Sequence, residues 1–354
     1  MCGREGCHAG QARRGRPGAA SYRAATGADR KLRSVSDDSR PRVIIDCDPG
    51  HDDVLAIGVA ARHCYIVGIT TVAGNAPLVH STENALIATD LFGLRHVPVH
   101  SGASGPLNGE PGRHAAHAHG RTGLGGPEPR TPSREATGSD AVSFLVESVR
   151  AEEGLWLMPI GPLTNIALAL RAAPDLARRV RGISLMGGSL IHGNMTSAAE
   201  FNIAFDPEAA AEVFASGAPL RMCGLDLTHQ VLADGGFADA LDVCGSPTAR
   251  FCAELMHFYQ GYAARLAGKT GDAAHAVGAP LHDPCAVLAV THPQLFETAR
   301  LHVVVETDGT HTRGMTLADT RPWADPEAAN VDVVVRADGP AAVAVVLDAL
   351  CTQS

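Results

Sequence analysis

The segment that decides the fold reads Val43-Ile-Ile-Asp-Cys-Asp-Pro-Gly-His-Asp-Asp53. Its apolar start predicts a short buried strand over residues 42–46. The Pro-Gly pair then turns the chain into a helix, which we predict over residues 53–62. A buried strand that leads through a tight turn into a helix is the first half of a βαβ unit.

The same alternation of strands and helices continues to the C-terminus. Further strands are predicted over residues 65–72, 97–101, 155–160, 182–186, 220–225, 301–306 and 330–335. Further helices are predicted over residues 78–92, 164–172, 207–215, 248–267, 284–291 and 341–350. This order predicts an α/β fold, a single domain with a central, mainly parallel β-sheet flanked by helices and a Rossmann-like core. Residues 102–138 and 268–281 show no regular pattern, and loops of that length are usually functional or mobile.

The composition excludes several classes of protein. The chain has 354 residues, of which 45% are hydrophobic and 19% are charged, and these values are not those of a disordered protein. It contains no apolar run of the ~18 residues that a membrane-spanning helix needs, so we expect no membrane partner. The net charge of −9 argues against nucleic acid as the main partner.

The N-terminal residues differ in charge from the rest of the chain. Residues 1–42 carry ten Lys and Arg against four Asp and Glu, a net charge of +6, whereas the remainder has a net charge of −15. We interpret residues 1–41 as a disordered basic tail, or as the product of an upstream start codon, and residues 42–354 as the single folded domain that carries the function. The alternative left open is an arm that binds phosphates without specificity.

The nine cysteines do not form a pattern typical of a disulfide framework, because their number is odd and the chain is long. Cys47, Cys223 and Cys285 lie in apolar or motif contexts. A reducing compartment fits better, and we therefore expect a cytoplasmic protein.

Four carboxylates, Asp46, Asp48, Asp52 and Asp53, lie within eight residues at the end of the first strand. Their mutual repulsion is costly unless a cation offsets it, and carboxylate oxygens favour Ca²⁺ or Mg²⁺. The alternative is that these acids only cap the following helix and face solvent, which explains one or two of the four. The sequence therefore predicts a metal site at this strand end.

The pattern Asp-x-Asp-Pro-Gly-x-Asp-Asp resembles the signature of the inosine–uridine-preferring nucleoside hydrolases. Other segments resemble this family too, and together they extend the resemblance from Arg42 to the C-terminus. They are Thr70-Thr-Val-Ala-Gly-Asn75, His117-Ala-His-Gly120 with Gly123-Leu-Gly125, Pro159-Ile-Gly-Pro-Leu-Thr-Asn165, Leu185-Met-Gly-Gly188, Ala199-Glu-Phe-Asn202, Asp206-Pro-Glu208 and His282-Asp-Pro284.

The resemblance implies hydrolysis of the N-glycosidic bond of a ribonucleoside to ribose and free base. It implies one Ca²⁺ per subunit, held by Asp48, Asp53, Asp283 and the backbone carbonyl of Ile160, that binds a water and the ribose 2′- and 3′-hydroxyls. Asp48 would take the proton from that water. His282 would protonate the leaving base, because an ordinary histidine pKa lies near working pH. For Asp283, a helix N-cap is the alternative interpretation, compatible with metal binding.

The resemblance also implies a set of residues that bind the substrate. Glu200 and Asn202 would project to one side if their segment is extended, and Asn194 would contact the 5′-hydroxyl. Asx turns are the alternative for the polar members, and a core position is the alternative for Phe201. The set comprises Asp52, Asn75, His119, Met186, Asn194, Glu200, Phe201, Asn202 and Asp283.

Several points stay open at this stage. The preferred base stays open, because residues 268–281 match no family position. It is either a pyrimidine, uracil or cytosine, or a mixed preference for hypoxanthine and uracil. The resemblance implies a homodimer or homotetramer. Two other functions compete with the hydrolase: a catalytically inactive nucleoside- or ribose-binding protein on the same scaffold, and a haloacid dehalogenase-type phosphatase in which Asp46 is the nucleophile and Asp48 the acid.

Overall fold

The computed structural model describes residues 40–353. The predicted tail therefore lies outside the described residues, except for Arg40 and Pro41. None of the helices between residues 40 and 353 is both long and apolar enough to cross a lipid bilayer.

Strands and helices alternate along most of the described chain. The strands are β1 (Arg42–Cys47), β2 (Tyr65–Thr71), β3 (Val99–Ser101), β4 (Trp156–Pro159), β5 (Gly182–Met186), β6 (Leu220–Cys223), β7 (Leu232–Ala233), β8 (Ala279–Pro280), β9 (Phe296–Leu301), β10 (Val303–Val305), β11 (Thr316–Ala318) and β12 (Val331–Ala337). The helices are α1 (His51–His63), α2 (Leu78–Leu91), α3 (Ala116–His119), α4 (Ala141–Ala151), α5 (Thr164–Ala172), α6 (Leu176–Arg179), α7 (Phe201–Phe205), α8 (Pro207–Ala215), α9 (Leu225–Thr228), α10 (Gly235–Cys244), α11 (Pro247–Leu266), α12 (Asp272–His275), α13 (His282–Thr291) and α14 (Gly339–Cys351).

Eight strands form the central sheet in the order β3-β2-β1-β4-β5-β6-β12-β9. All neighbouring pairs are parallel except β12 and β9, which run antiparallel. The predicted α/β class with a mainly parallel sheet is therefore confirmed. The strand order reverses between β1 and β4, and parallel sheets bind ligands at the carboxyl ends of the strands beside such a reversal.

Two hydrophobic cores cover the two faces of the sheet. Along β1, Val43 and Ile45 join one core while Ile44 joins the other, as the two-residue period of a strand requires. The first core is closed by α1, α2, α10, α11, α13 and α14, and the second by α4, α5, α6 and α8. Because both faces are covered, the centre of β1, residues 43–45, is a continuous apolar run rather than an alternation with polar residues.

The prediction of one strand over residues 301–306 was wrong in detail. The chain forms β9 at the edge of the central sheet, and then β10, which pairs with β11 in a separate hairpin. The β9 sequence Phe-Glu-Thr-Ala-Arg-Leu is half exposed, so it lacks the continuous apolar run by which the buried strands are recognised. The helices of four or five residues were not predicted, and neither were two longer ones, α4 and α10. Asp140 caps α4 by accepting a hydrogen bond from the Ser143 backbone N–H.

One disulfide corrects the expectation from the cysteine pattern. Cys244 at the end of α10 is bonded to Cys351 at the end of α14, with 5.5 Å between their Cα atoms. The other five cysteines within residues 40–353 are free and buried. Spacing could not reveal this pair, because the two residues are separated by 107 positions and meet only when the C-terminal helix packs against α10.

We expect this disulfide to contribute about 2–4 kcal/mol to the free energy of unfolding, because closing a loop of about 100 residues restricts the unfolded chain. Cys244→Ser should lower the urea midpoint by the corresponding amount. Reduction of the wild-type protein with dithiothreitol should give the same shift, and the variant should not respond to the reductant. Equal midpoints for wild type and variant would contradict the prediction.

Candidate active site

The floor of the site begins where β1 ends. Asp48 is fully buried, and its Oδ2 accepts a hydrogen bond of 2.6 Å from the Asn75 backbone N–H. Its other oxygen, Oδ1, has no hydrogen-bond partner among the described residues. Gly74 and Gly161 enclose the carboxylate so closely that a Cβ at either position would collide with it. A buried carboxylate oxygen without a partner costs free energy, so this atom is suited to bind a ligand.

Three further acids converge beside Asp48. Asp52 and Asp53 lie in the first turn of α1, and Asp283 lies in the first turn of α13. One carboxylate oxygen from each of the three lies within 4.8 Å of the others, and all three residues are buried. Asp53 also accepts hydrogen bonds from the backbone N–H groups of Gly50 (2.9 Å) and Asp48 (3.2 Å).

The acids strongly perturb one another. Burial, reinforced by the charge of Asp53, raises the pKa of Asp52 to about 8. The pKa values of Asp48 and Asp283 rise well above their usual range, first because of burial and then because of the neighbouring carboxylates. A divalent cation would offset this repulsion, and a donor set made only of oxygen atoms fits Ca²⁺ or Mg²⁺. The residues therefore fit the metal that the sequence predicts.

The interpretation of Asp283 as a helix N-cap was wrong. Helix α13 begins at His282 and its N-cap is Leu281, so Asp283 is already a helical residue and points into the acid cluster.

Asp46, the first acid of the signature, is bound by neighbouring side chains and does not line the cleft. Its Oδ1 accepts hydrogen bonds from the Thr70 hydroxyl (2.6 Å) and from Asn165 Nδ2 (2.8 Å). Asn165 also donates to the Thr71 carbonyl and accepts from the Ala103 backbone N–H. It therefore ties β1 and β2 to the first long loop. The sequence analysis quoted Asn165 within a motif without assigning it this function.

The ends of β4 and β5 are joined by Asn202. Its Nδ2 donates to the carbonyls of Ile160 (3.0 Å) and Met186 (3.1 Å) and lies 3.4 Å from the Met186 sulfur. A carbonyl oxygen has two lone pairs, so the Ile160 carbonyl can accept this bond and still serve a metal ion.

Glu200 and Asn202 were predicted to project to one side if their segment is extended. The segment is not extended, because Asn202 lies in the helix α7. Glu200 is the N-cap of α7, where its carboxylate accepts hydrogen bonds from the backbone N–H groups of Gly188, Asn202 and Ile203 at 2.9–3.1 Å. Burial raises the pKa of Glu200 to about 7. Asn194 accepts a hydrogen bond of 2.9 Å from the Phe201 backbone N–H, so its side-chain oxygen also orders this loop.

A cleft of about 300 Å³ opens above the acids. All nine residues predicted to bind substrate line it, together with Ile160 and His282, while Asp48 and Asp53 lie beneath its surface. Sequence reasoning did not assign one further wall residue, His229, because no motif marks it. The remaining lining residues are Ala115, His117, Ala118, Met195, Tyr259, Tyr262, Ala263, Leu266 and Pro280.

Burial lowers the pKa values of three histidines of the cleft, His119, His229 and His282, so their neutral forms are favoured. Burial lowers the pKa of His282 to about 3, so the argument from an ordinary histidine pKa does not hold. His282 Nδ1 lies 2.8 Å from the Thr228 hydroxyl oxygen. Where that hydroxyl donates to Nδ1 rather than to the Leu225 carbonyl at 3.5 Å, the neutral ring carries its proton on Nε2 and offers an N–H donor at the cleft.

A sequence model of the inosine-uridine preferring nucleoside hydrolases matches residues 43–344. The chain belongs to this family. A pyrimidine-specific ribonucleoside hydrolase RihA of Shewanella sp. (strain ANA-3) is 40% identical over 319 residues, which are 89% of this chain and 98% of that protein. The RihA protein of Photobacterium profundum is 43% identical over 284 residues, or 79% and 89% of the two chains.

The fold is shared with solved nucleoside hydrolases. A purine-preferring ribonucleoside hydrolase from Gardnerella vaginalis superposes with a TM-score of 0.81 at 34% identity, covering 88% of this chain and 100% of that chain. This nucleoside hydrolase is therefore an enzyme that hydrolyses N-glycosidic bonds of ribonucleosides, as the resemblance of its signature predicted. The phosphatase alternative has no support in this family.

Proposed function

We propose that this nucleoside hydrolase prefers pyrimidine ribonucleosides, uridine and cytidine, and works with one Ca²⁺ per subunit. The observation that carries the proposal is the cluster of buried acids on the floor of a cleft whose walls combine polar side chains with aromatic rings. The pyrimidine preference is supported by the names of relatives at 40% and 43% identity. The purine-preferring structure is more distant, at 34% identity.

Asp48, Asp53, Asp283 and the carbonyl of Ile160 would hold the ion. When bound, Ca²⁺ would offset the acid repulsion, orient the ribose 2′- and 3′-hydroxyls and make a bound water easier to deprotonate. Asp48 is suited to take that proton because its Oδ1 has no other partner within the described chain.

Polar side chains above the floor would bind the ribose. We assign its hydroxyls to Asp52, Asn75, Asn194, Glu200 and Asn202, which line the cleft around the acids. Met186 and Phe201 line the same cleft and would pack against the sugar as the apolar members of the predicted substrate-binding set. Holding the sugar in one orientation places the glycosidic carbon next to the activated water.

His282 would act on the leaving base, with His119 on the same side of the cleft. Since burial disfavours its charged form, we propose that the neutral His282 ring gives a hydrogen bond from Nε2 to the departing base and guides its protonation. This hydrogen bond strengthens as negative charge develops on the base.

We further propose a cytoplasmic enzyme that assembles as a homodimer or homotetramer. The five free, buried cysteines fit a reducing compartment, although a disulfide such as that between Cys244 and Cys351 is more common in an oxidising one. The oligomeric state follows from the family resemblance alone, and sedimentation of the purified protein measures it directly.

A substrate panel tests this function. We expect kcat/KM for uridine and cytidine to exceed that for inosine, adenosine and guanosine by at least about tenfold, which corresponds to about 1.4 kcal/mol of transition-state binding. A chelator should remove activity, and added Ca²⁺ should restore it. Activity that survives the chelator would refute the proposed metal requirement. A kcat/KM for purine ribonucleosides above that for uridine would refute the proposed pyrimidine preference. Calorimetric uridine binding without ribose release would show an inactive binder.

A further inference from the structure

The loop of residues 187–200, between β5 and α7, forms part of the cleft wall. It contributes Asn194, Met195 and Glu200 to that wall. Its outer part is a compact turn, in which the Met195 backbone N–H donates to the Ala199 carbonyl at 3.1 Å. This bond lies within the turn and does not connect it to the rest of the domain. The place of Asn194 in the cleft therefore depends on how the turn is attached.

The attachment is made by Ser189, which is buried. Its hydroxyl donates to Asp226 Oδ2 at 3.0 Å and accepts the backbone N–H groups of Ile191 and His192, both at 3.1 Å. The same Asp226 oxygen also accepts the Leu190 backbone N–H. One carboxylate oxygen of α9 thus orders four consecutive loop residues, either directly or through the Ser189 hydroxyl.

A second support acts on the backbone of Ser189. The Thr316 hydroxyl, in β11, accepts the Ser189 backbone N–H at 2.9 Å and donates to the Ser189 carbonyl at 2.6 Å. The Gly188 carbonyl accepts the Leu225 backbone N–H at 2.9 Å. Neither bond uses Asp226 or the Ser189 hydroxyl. Removal of Asp226 should therefore loosen the turn while the base of the loop stays attached.

The polarity of the Asn194 amide follows from its one hydrogen bond. Its Oδ1 lies 2.9 Å from the Phe201 backbone nitrogen, and a backbone N–H only donates, so the amide oxygen must be on that side. The amide nitrogen makes no hydrogen bond to any residue between 40 and 353. Asn194 is exposed and lines the cleft, so the group that it offers a ligand is an N–H donor. A ribose 5′-hydroxyl can accept that bond through its oxygen, whereas a 5′-methyl group cannot.

We propose that Asp226 is a positioning residue for the 5′ end of the ribose. By binding Ser189 and Leu190, it holds Asn194 where the amide N–H donates to the 5′ oxygen. The inference rests on the proposed function, which assigns a ribose hydroxyl to Asn194, and it adds the residue that fixes the place of that amide. Asp226 does not itself line the cleft. Its removal should therefore weaken the preference for a 5′ oxygen and spare the reaction at the glycosidic bond.

The readout is the 5′ preference, defined as kcat/KM for uridine divided by kcat/KM for 5′-deoxyuridine, with uracil release followed for both. We expect a wild-type value of about five to ten, the worth of one hydrogen bond at an exposed position. Asn194→Ala should bring the preference to about one, because the donor is gone. Asp226→Ala should lower the preference about threefold or more and leave kcat/KM for 5′-deoxyuridine nearly unchanged.

Three further variants separate positioning from a general structural effect. The double variant Asn194→Ala/Asp226→Ala should have the same 5′ preference as Asn194→Ala, because Asp226 acts through Asn194. Asp226→Asn keeps an oxygen that can accept both bonds, so its preference should stay within about twofold of wild type. Asp242→Ala, at an exposed position on α10, should leave the preference unchanged.

The outcomes distinguish the inference from the proposed function. Equal losses on both substrates in Asp226→Ala would overturn the inference, and so would a wild-type preference near one. If Asp226→Ala does not fold, Ser189→Ala takes its place, because it keeps the backbone bonds to Thr316 and should also lower the preference. If the wild-type enzyme releases no uracil from either substrate, the proposed function itself fails.

Hydrogen exchange tests the same attachment without turnover. The backbone N–H groups of Leu190, Ile191 and His192 are bound to Asp226 or to the Ser189 hydroxyl. A peptide that covers these residues should therefore exchange faster in full-length Asp226→Ala than in wild type, while peptides from α13 should not change. Equal exchange of the loop peptide in the two proteins would overturn the inference.

Discussion

Replacing Asp48 by alanine should lower kcat for uridine by about 10³-fold or more, because the change removes both a proposed metal ligand and the residue proposed to take the proton from water. The fold should survive. The raised pKa of Asp48 means that its charged form is disfavoured in the folded protein, so its removal relieves repulsion. Asp48→Asn, which keeps the shape of the side chain, should lose activity in the same way and be at least as stable as wild type in the absence of metal.

Thermal unfolding in chelator and steady-state kinetics in Ca²⁺ measure the two halves of this prediction. Asp242→Asn is a matched control, because Asp242 is an exposed aspartate on α10 whose partner is the surface residue His257. Asp242→Asn should change neither the unfolding temperature in chelator nor kcat in Ca²⁺. Turnover by Asp48→Ala close to that of wild type would refute the assigned base.

Removal of His282 should lower kcat most for substrates whose leaving group is unstable as an anion. We expect His282→Ala to lower kcat for uridine by about 10²- to 10⁴-fold, the range typical of acid catalysis, because uracil leaves poorly as an anion. 4-Nitrophenolate is stable as an anion, so the loss on 4-nitrophenyl riboside should be much smaller. Thr228→Val, which removes the hydrogen bond to His282 Nδ1, should show the same selectivity to a lesser degree.

His257→Ala, at an exposed position on α11, provides the control for loss of a histidine. Parallel losses on both substrates in His282→Ala would show that His282 shapes the cleft instead of acting on the base. Progress curves with the two substrates on one enzyme preparation make the comparison independent of active-site concentration.

The sheet and its site were predictable because the decisive signals are local. The apolar run before Asp46, the Pro-Gly turn and the acids that follow lie within a dozen residues, and strand–helix alternation then implies a parallel sheet with its ligands at the carboxyl edge. The edge strand β9 was not predicted, because it is polar and half exposed. The disulfide was not predicted, because its cysteines meet only through tertiary packing.

Within the site, residue identity was more predictable than chemical state. Motif positions indicated the residues that line the cleft, yet they could not show that Glu200 caps a helix or that burial shifts His282 far from its usual pKa. Both properties depend on which atoms surround a side chain, and such neighbours come from distant parts of the sequence. His51 illustrates the limit, since its interactions with Gly125 and His119 require the folded loop.

The convergence of α1 and α13 on one acid cluster also has a consequence for how the enzyme matures. Asp52 and Asp53 come from the start of the domain, whereas Asp283 arrives only after most of the chain has been made. With the ligands proposed above, a ribosome-bound fragment that lacks α13 would hold an incomplete set of them. Ion capture would then be a late event in biosynthesis, because it would require that distant parts of the chain have already been brought together.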